Sequence, residues 1–249
     1  MHAETGHTHS RTLQDWCAEA KPFDLVVRIL NTQQPLCLAH AEHMEQCCLP
    51  AGWHGLIAAR PGLRVLSGSA DILPLSELSL VKLQFFIDQG FPPKRGGRAL
   101  PLVAAMREPA GGALDTARSL ETWFIAQALQ NGSDYQRFAE VLRAGEGYHL
   151  LGFLLEKGSS SAKLNDLASH YGVSVSHFRR LCHQALGCAA KPELREWRTA
   201  QALLTLVERA QSLTDVAMEY GYASSSHFSK DIRELVGVTP SSLIDINRP

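Results

Sequence analysis

Long apolar runs, an excess of charge of either sign and paired cysteine spacings are all scarce in this 249-residue chain. No stretch of ~18 apolar residues is present to cross a bilayer. The best candidate, Leu73 to Ile87, is broken by Ser76, Glu77, Ser79, Lys82 and Gln84. The opening MHAETGHTHSR is polar and lacks the basic-then-apolar order of a secretory signal. Six cysteines without a Cys-x-x-Cys pair read as cytosolic thiols, not as a disulfide framework. The expectation is a cytoplasmic protein with no membrane partner. Net charge is −1, with −2 over the first 150 residues and +1 over the rest, so charge alone points to no polyanion. The basic loop Pro92–Arg98 (PPKRGGR) lacks the Lys-Ser/Thr that closes a phosphate-binding loop and reads as a solvated turn. What remains is ordinary globular composition, 45% hydrophobic and 20% charged, in a chain long enough for two cores.

The chain does contain a repeat. LNDLASHYGVSVSHFRRLCHQALG, from Leu164 to Gly187, returns as LTDVAMEYGYASSSHFSKDIRELVG, from Leu213 to Gly237. Leu164, Asp166, Ala168, Tyr171 and Gly172 have identical partners 49 positions on, and His177, Phe178 and Gly187 recur one position later still. Each copy reads as helix-turn-helix. Gly172 and Gly221 supply the turn, and the small Ala168 and Ala217 let the two helices approach. Ser174 is an expected N-cap. Val175, Phe178, Leu181, Cys182 and Ala185 form one apolar face of the second helix, leaving Ser176, Arg179, Arg180 and His183 outside. In the second copy Phe228, Ile232 and Leu235 are expected inside, with Ser225, Ser226, Ser229, Lys230 and Arg233 outside. His177 and His227 are expected to brace the helix starts. A plain helical bundle with solvated outer faces is the alternative reading of either hairpin alone.

Between the repeats, Lys191–Ala210 has helical spacing through Leu194, Trp197, Ala200 or Gln201, Leu204 and Val207, with Pro192 in a first turn. About 19 residues at ~1.5 Å each make a rod of roughly 28 Å. Major-groove windows on one face of B-DNA recur every ~34 Å. Such a rod sets two reading helices into neighbouring windows of modestly bent DNA.

The first half is less regular. Residues 1–20, with His2, His7 and His9, read as a disordered tail. Short strands are expected at Phe23–Ile29, Gly55–Ala59 and Leu63–Leu66, with Pro61-Gly62 as a turn. Helices are expected from Asp115, through Leu120, Phe124 and Ala128, and over Asp134–Ala144, with Asn131-Gly132 between them. Glu108 to Gly112 (EPAGG) is a further break. Gly145 and Gly147 mark the junction, and a helix over Tyr148–Glu156 is expected to pack beneath the first repeat. The fold class is therefore α+β and mainly α. A regulatory, partner-binding domain over 21–145 holds a small β-rich core plus helices, and an all-α tandem helix-turn-helix domain covers 146–249. Cys37, His40, His43, Cys47 and Cys48 have zinc-like residue types. Adjacent Cys47 and Cys48 cannot readily face one ion, however, so no metal and no cofactor are expected.

The closing pattern Gly221, Tyr222, Ser226, Phe228, Lys230, Gly237, Val238, Thr239 and Pro240, with Arg198 and Ala202 in the connecting segment, resembles the AraC/XylS transcription regulators over about the last 100 residues. Ile232 and Val236 stand where that family usually has aromatics, and Asp231 adds an acid beside Lys230. YGVSVSHFRRLCHQALG followed by KPELREWRTAQALL is most similar to the invasion-type activators of type III secretion genes. The resemblance implies a non-enzymatic activator acting on double-stranded promoter DNA with RNA polymerase. It also implies a cytosolic secretion chaperone as co-activator and allows a homodimer. The expected DNA contacts are Ser176, Arg179, Arg180, His183, Ser225, Ser226, Ser229, Lys230 and Arg233. Two alternatives share the same DNA-binding half: a small-molecule sensor with a β-cup, and an alkyl-acceptor repair regulator with a zinc-bound cysteine. The latter lacks its Pro-Cys-His-Arg stretch here.

Overall fold

Strand β4 (Gly55–Ala59) is buried at every position, and this decides the layering around it. Side chains alternate along a strand, so burial throughout requires a cover on both faces. The computed structural model describes residues 12–19, 26–41, 43–75, 77–93, 100–109, 114, 116–158, 163–209, 211–240 and 242–243. In it β4 lies within an antiparallel sheet ordered β6-β1-β4-β7, with β1 (Val26–Thr32), β6 (Ala70–Pro74) and β7 (Val103–Arg107). A second antiparallel sheet, β3-β2-β5, is made of β2 (Leu36–His40), β3 (His43–Leu49) and β5 (Leu63–Ser67). Val27, Ile29, Ile57 and Val103 of the first sheet share one buried cluster with Leu36, Leu38, Leu49 and Leu63 of the second. The two sheets therefore enclose a single core, filled by side chains. Helix α1 (Leu13–Glu19) adds Leu13 and Trp16 to it.

The other face of the four-stranded sheet is covered by helices. α2 (Glu77–Gly90), α3 (Ala117–Gln130) and α4 (Ser133–Arg143) pack on one another, and α4 lies across β7 and β4. Asp88 on α2 accepts two hydrogen bonds from Arg143 at 2.8 Å and one from the Tyr148 hydroxyl at 2.6 Å. Burial, reinforced by this carboxylate, pushes the Tyr148 phenol above its ordinary range. Arg28 and Glu108 form a buried ion pair, Nε to Oε2 at 2.9 Å, and Arg28 also donates to the Leu114 carbonyl. Glu108 is thus a structural partner, not merely the start of a break.

The chain divides into two units, Met1–His149 and Leu150–Pro249, and the division falls inside α5 (Glu146–Gly158). In the second unit come α6 (Leu164–Tyr171), α7 (Val175–Leu186), α8 (Ala190–Glu208), α9 (Leu213–Glu219) and α10 (Ser225–Val236). Phe153 of α5 stacks edge-on against Tyr171 and Phe178, with ring centroids 5.0 and 6.1 Å away, so α5 completes the first hairpin's core. The second hairpin closes its own core, Val216, Ala217, Tyr222, Phe228 and Ile232, on Ala202 and Leu206 of α8.

Several expectations need correction. The tail expected through residue 20 instead contains α1 from Leu13, because Leu13 and Trp16 find an apolar cover. The expected strands leave out β2, β3, β6 and β7; β6 and β7 take their register from β1 and β4, far along the chain, whereas β2 and β3 pair as a hairpin. The buried stripe of α8 is also different. Leu204 and Val207 are exposed, whereas Thr199, Ala202, Thr205 and Leu206 are buried. Tyrosine partners in the second hairpin make the threonines acceptable inside. Thr205 Oγ1 lies 2.7 Å from the Tyr220 hydroxyl, and Thr199 Oγ1 lies 2.8 Å from that of Tyr222. Leu235, expected inside, is 38% exposed at the end of α10. The histidines at 2, 7 and 9, Phe23, residues 94–98 of the basic loop and Asp115 lie outside the described residues.

Two ties seat α10 and its turn on α8. Thr199 Oγ1 donates to the Arg195 carbonyl at 2.8 Å and lies 2.8 Å from the Tyr222 hydroxyl, which also hydrogen-bonds the Asp231 carboxylate. Thr199→Val should cost about 1–3 kcal/mol in urea unfolding, because it removes buried hydrogen bonds to the Arg195 carbonyl and the Tyr222 hydroxyl. The second tie is Asp231, which accepts from Arg195 Nε at 2.9 Å while Arg195 also reaches Glu234 at 2.9 Å. The guanidinium holds the Asp231 carboxyl below its ordinary range. A lowered folded-state pKa stabilises fully above the unfolded value of ~3.9 and loses its effect as pH falls through the folded one. Asp231→Asn should therefore lower stability by about 1–2 kcal/mol at pH 7. The gap to the parent should close in unfolding curves taken below the ordinary aspartate range.

Candidate nucleic-acid interface

Each second helix of the repeat is started by a serine. Ser174 accepts from the His177 amide and Ser224 from the His227 amide, both at 3.3 Å. The histidines thus serve the helix starts through their backbone. Gly172 and Gly221 take φ of +80° and +71° in the preceding turns, a region costly for residues with a Cβ. With Phe178, Leu181, Cys182, Ala185 and Leu186 buried on α7, the stripe Ser176, Arg179, Arg180 and His183 faces solvent. These four are spaced i, i+3, i+4, i+7 along one side of the helix. On α10 the same stripe, 50 positions on, is Ser226, Ser229, Lys230 and Arg233. Ser226, Lys230 and Arg233 are exposed, while Ser229 and Ser225 are half-buried.

The two stripes differ in charge available to a ligand. Arg179 and Arg180 make no ion pair with any other described residue. Lys230 Nζ lies 3.8 Å from Glu234 Oε1, the carboxylate that Arg195 also holds. The hydroxyl of Ser229 is committed to the Ser225 carbonyl at 2.9 Å. The first stripe therefore offers two uncommitted guanidinium forks suited to guanine edges or phosphate. The second offers a partly neutralised lysine, Arg233 and the Ser226 hydroxyl. Asp231 does not weaken this face, because it is turned onto Arg195. That pairing, 36 positions apart, left no periodic signal in the sequence. Helices α7 and α10 both pack on α8, whose 19 residues correspond to about 28 Å.

Of the described side chains in the cysteine and histidine cluster of the first half, the Cys37–Cys48 pair, Cys47 and His40 face three different surroundings. Cys37 and Cys48 occupy directly opposed positions of β2 and β3, Cα atoms 4.2 Å apart, and their sulfurs are bonded to each other. This corrects the expectation of six thiols, which could not foresee a β2–β3 hairpin. Cys47 is packed against the sandwich core, and His40 is buried with Nε2 2.7 Å from the Pro61 carbonyl oxygen. Among the described residues no three His, Cys, Asp or Glu side chains converge as a metal site would require. No helix there is long and apolar enough to cross a membrane.

Comparison with known proteins agrees with the hairpins. Residues 167–245 match a family model described as a helix-turn-helix domain. The invasion protein InvF of Salmonella typhi is 37% identical over 209 residues, covering 84% of this chain and 96% of InvF. The transcriptional regulator MxiE of Shigella flexneri is 39% identical over 125 residues, 49% of this chain and 58% of MxiE. The solved AraC-type regulator from Chromobacterium violaceum is 24% identical, covers 39% of this chain and 87% of its own, and gives a TM-score of 0.36. With two capped hairpins seated on one connecting helix and a likeness to InvF along nearly its whole length, the chain belongs to the AraC/XylS family of transcriptional regulators, among its invasion-type members.

Proposed function

We propose that this protein is a sequence-specific, DNA-binding transcriptional activator of type III secretion and virulence genes, working in the cytoplasm at double-stranded promoter DNA with RNA polymerase. The observation that carries the reading is the doubled solvent-facing stripe, Ser176–Arg179–Arg180–His183 and Ser226–Ser229–Lys230–Arg233, on two helices that share α8 as their seat. Residues 146–249 are assigned the DNA contacts. Arg179 and Arg180 enter one major groove, one reading guanine O6 and N7 and the other a base or phosphate. Ser176 and His183 flank them. Ser225, Ser226, Ser229, Lys230 and Arg233 make weaker or phosphate-directed contacts in the next groove.

Residues 21–145 are assigned regulation, with a cytosolic secretion chaperone as co-activator. This rests on resemblance to the InvF and MxiE branch. The sheets' shared core is filled by leucine, isoleucine, valine and tryptophan side chains, which supports a partner-gated regulator over a ligand cup. Neither catalysis nor a cofactor enters the proposal: the sequence has no Pro-Cys-His-Arg stretch of the kind that carries the reactive cysteine of an alkyl-acceptor enzyme.

Footprinting on the promoters that the protein occupies tests the DNA assignment. Arg180→Ala should cost about 1–3 kcal/mol on the specific site and relax base preference there. Lys230→Ala should weaken binding evenly across sequences and lower the salt slope by about 1. Undiminished protection by the Arg179→Ala, Arg180→Ala double variant would remove the reading of α7. For the regulatory half, affinity purification of the full chain from cells expressing the secretion apparatus should retain a small helical-repeat chaperone. Equal promoter activation in a strain without that chaperone would dismiss the gating.

A further inference from the structure

The cross-strand pair Cys37–Cys48 plays no part in DNA reading, and its placement is unlike that of the other cysteines. β3 is an edge strand of its sheet. Leu36, Leu38 and Leu49 point into the shared core, while Cys37 is half-buried and Cys48 exposed on the opposite, outer side. Cys47, one residue away, faces inward against the core and cannot share that side.

We propose that Cys37 and Cys48 form a reversible thiol–disulfide site, closed by a peroxide-class oxidant and opened by a small-molecule thiol such as glutathione. Three observations favour a reversible bond over a structural staple. The segment it closes is short, the two cysteines being 11 positions apart, and β2–β3 pairing together with the buried leucines already holds it. Loss of the bond therefore leaves the sandwich core intact. The bond lies on the outer side of the sheet with Cys48 exposed, where a small thiol can reach it. Two other thiols, Cys17 and Cys182, are pushed up to about 11 by burial and stay protonated near neutral pH, so they do not compete.

The chemistry balances without a further reactant. One thiolate attacks the peroxide, the O–O bond breaks, and a sulfenic acid forms as hydroxide leaves. The opposed thiolate then attacks that sulfur, the S–S bond forms, and the hydroxyl departs as water. Two thiols lose two electrons to one peroxide, giving one disulfide and two waters. With the partner held 4.2 Å away at Cα, this second step precedes further oxidation of the sulfenic acid. In reverse, one thiol opens the bond as a mixed disulfide and a second releases it, giving two protein thiols and the oxidised small disulfide.

The test uses the full-length protein, reduced with glutathione in the millimolar range, treated with hydrogen peroxide, alkylated with a maleimide and cleaved at glutamates. Glu42 and Glu45 separate Cys37 from Cys47 and Cys48. Reduction should expose both sulfurs to alkylation with an unchanged far-ultraviolet circular dichroism spectrum. About one equivalent of peroxide should then remove two alkylatable thiols and join the two peptides. Cys47→Ser should retain that link and Cys48→Ser should lose it. A bond that survives glutathione in the folded protein, or whose reduction unfolds the chain, would make the pair a staple and overturn the proposal. So would peroxide that joins Cys37 to Cys47 or leaves Cys37 and Cys48 unlinked.

Discussion

Everything asked of the second unit depends on α8 acting as a common seat for two hairpins. A reading helix carries little information unless its angle and depth in the groove are fixed, and a short hairpin alone buries too little apolar surface to fix them. The second hairpin solves this by borrowing Ala202 and Leu206 from α8 and adding two hydroxyl pairs and a bidentate Arg195–Asp231 tie. Hydrophobic burial supplies most of the adhesion and is indifferent to rotation. The polar ties are directional, so they choose one orientation of α10 among those the apolar contact would allow.

The two hairpins are repeats in pattern but not in chemistry. The first presents uncommitted arginines, and its core is closed by the aromatic group Phe153, Tyr171 and Phe178. The second has a lysine shared with Glu234 and hydroxyls partly committed to its own backbone. An unequal pair of this kind suits one strongly reading head and one that anchors. Arginine forks give base discrimination, whereas a screened lysine gives mainly phosphate attraction. The first unit belongs to a different physical regime. Its sandwich joins side chains from strands remote in sequence, and its ion pairs, buried Arg28–Glu108 and part-buried Arg143–Asp88, each gain a further hydrogen bond, from Arg28 to the Leu114 carbonyl and from the Tyr148 hydroxyl to Asp88.

Much of the second unit was legible because its information is local. The glycines at 172, 187, 221 and 237 mark helix ends in the left-handed region. Ser174 caps α7, and the three-four spacing of Phe178, Leu181 and Ala185 sets the buried face and hence the exposed arginines. Reading failed where burial was arranged by a distant partner. The periodic apolar residues of α8 point to Leu204 and Val207, yet the inward positions include Thr199 and Thr205, whose hydroxyls meet those of Tyr222 and Tyr220. Asp231, an apparent defect beside Lys230, is a fastening to Arg195. In the first unit GLIAA was visible as a strand, but not that both its faces would be covered.

The amino-acid order by itself determined the doubled hairpin, its caps, its turns and the stripe of side chains turned toward a ligand, since each follows from contacts within about a dozen residues. Tertiary structure alone decided how β6 pairs with β1, how β7 pairs with β4, and which face of α8 is buried. Those outcomes depend on register between segments far apart in the chain. A period-two or period-3.6 pattern says which residues share a side, but it carries no record of what will cover that side.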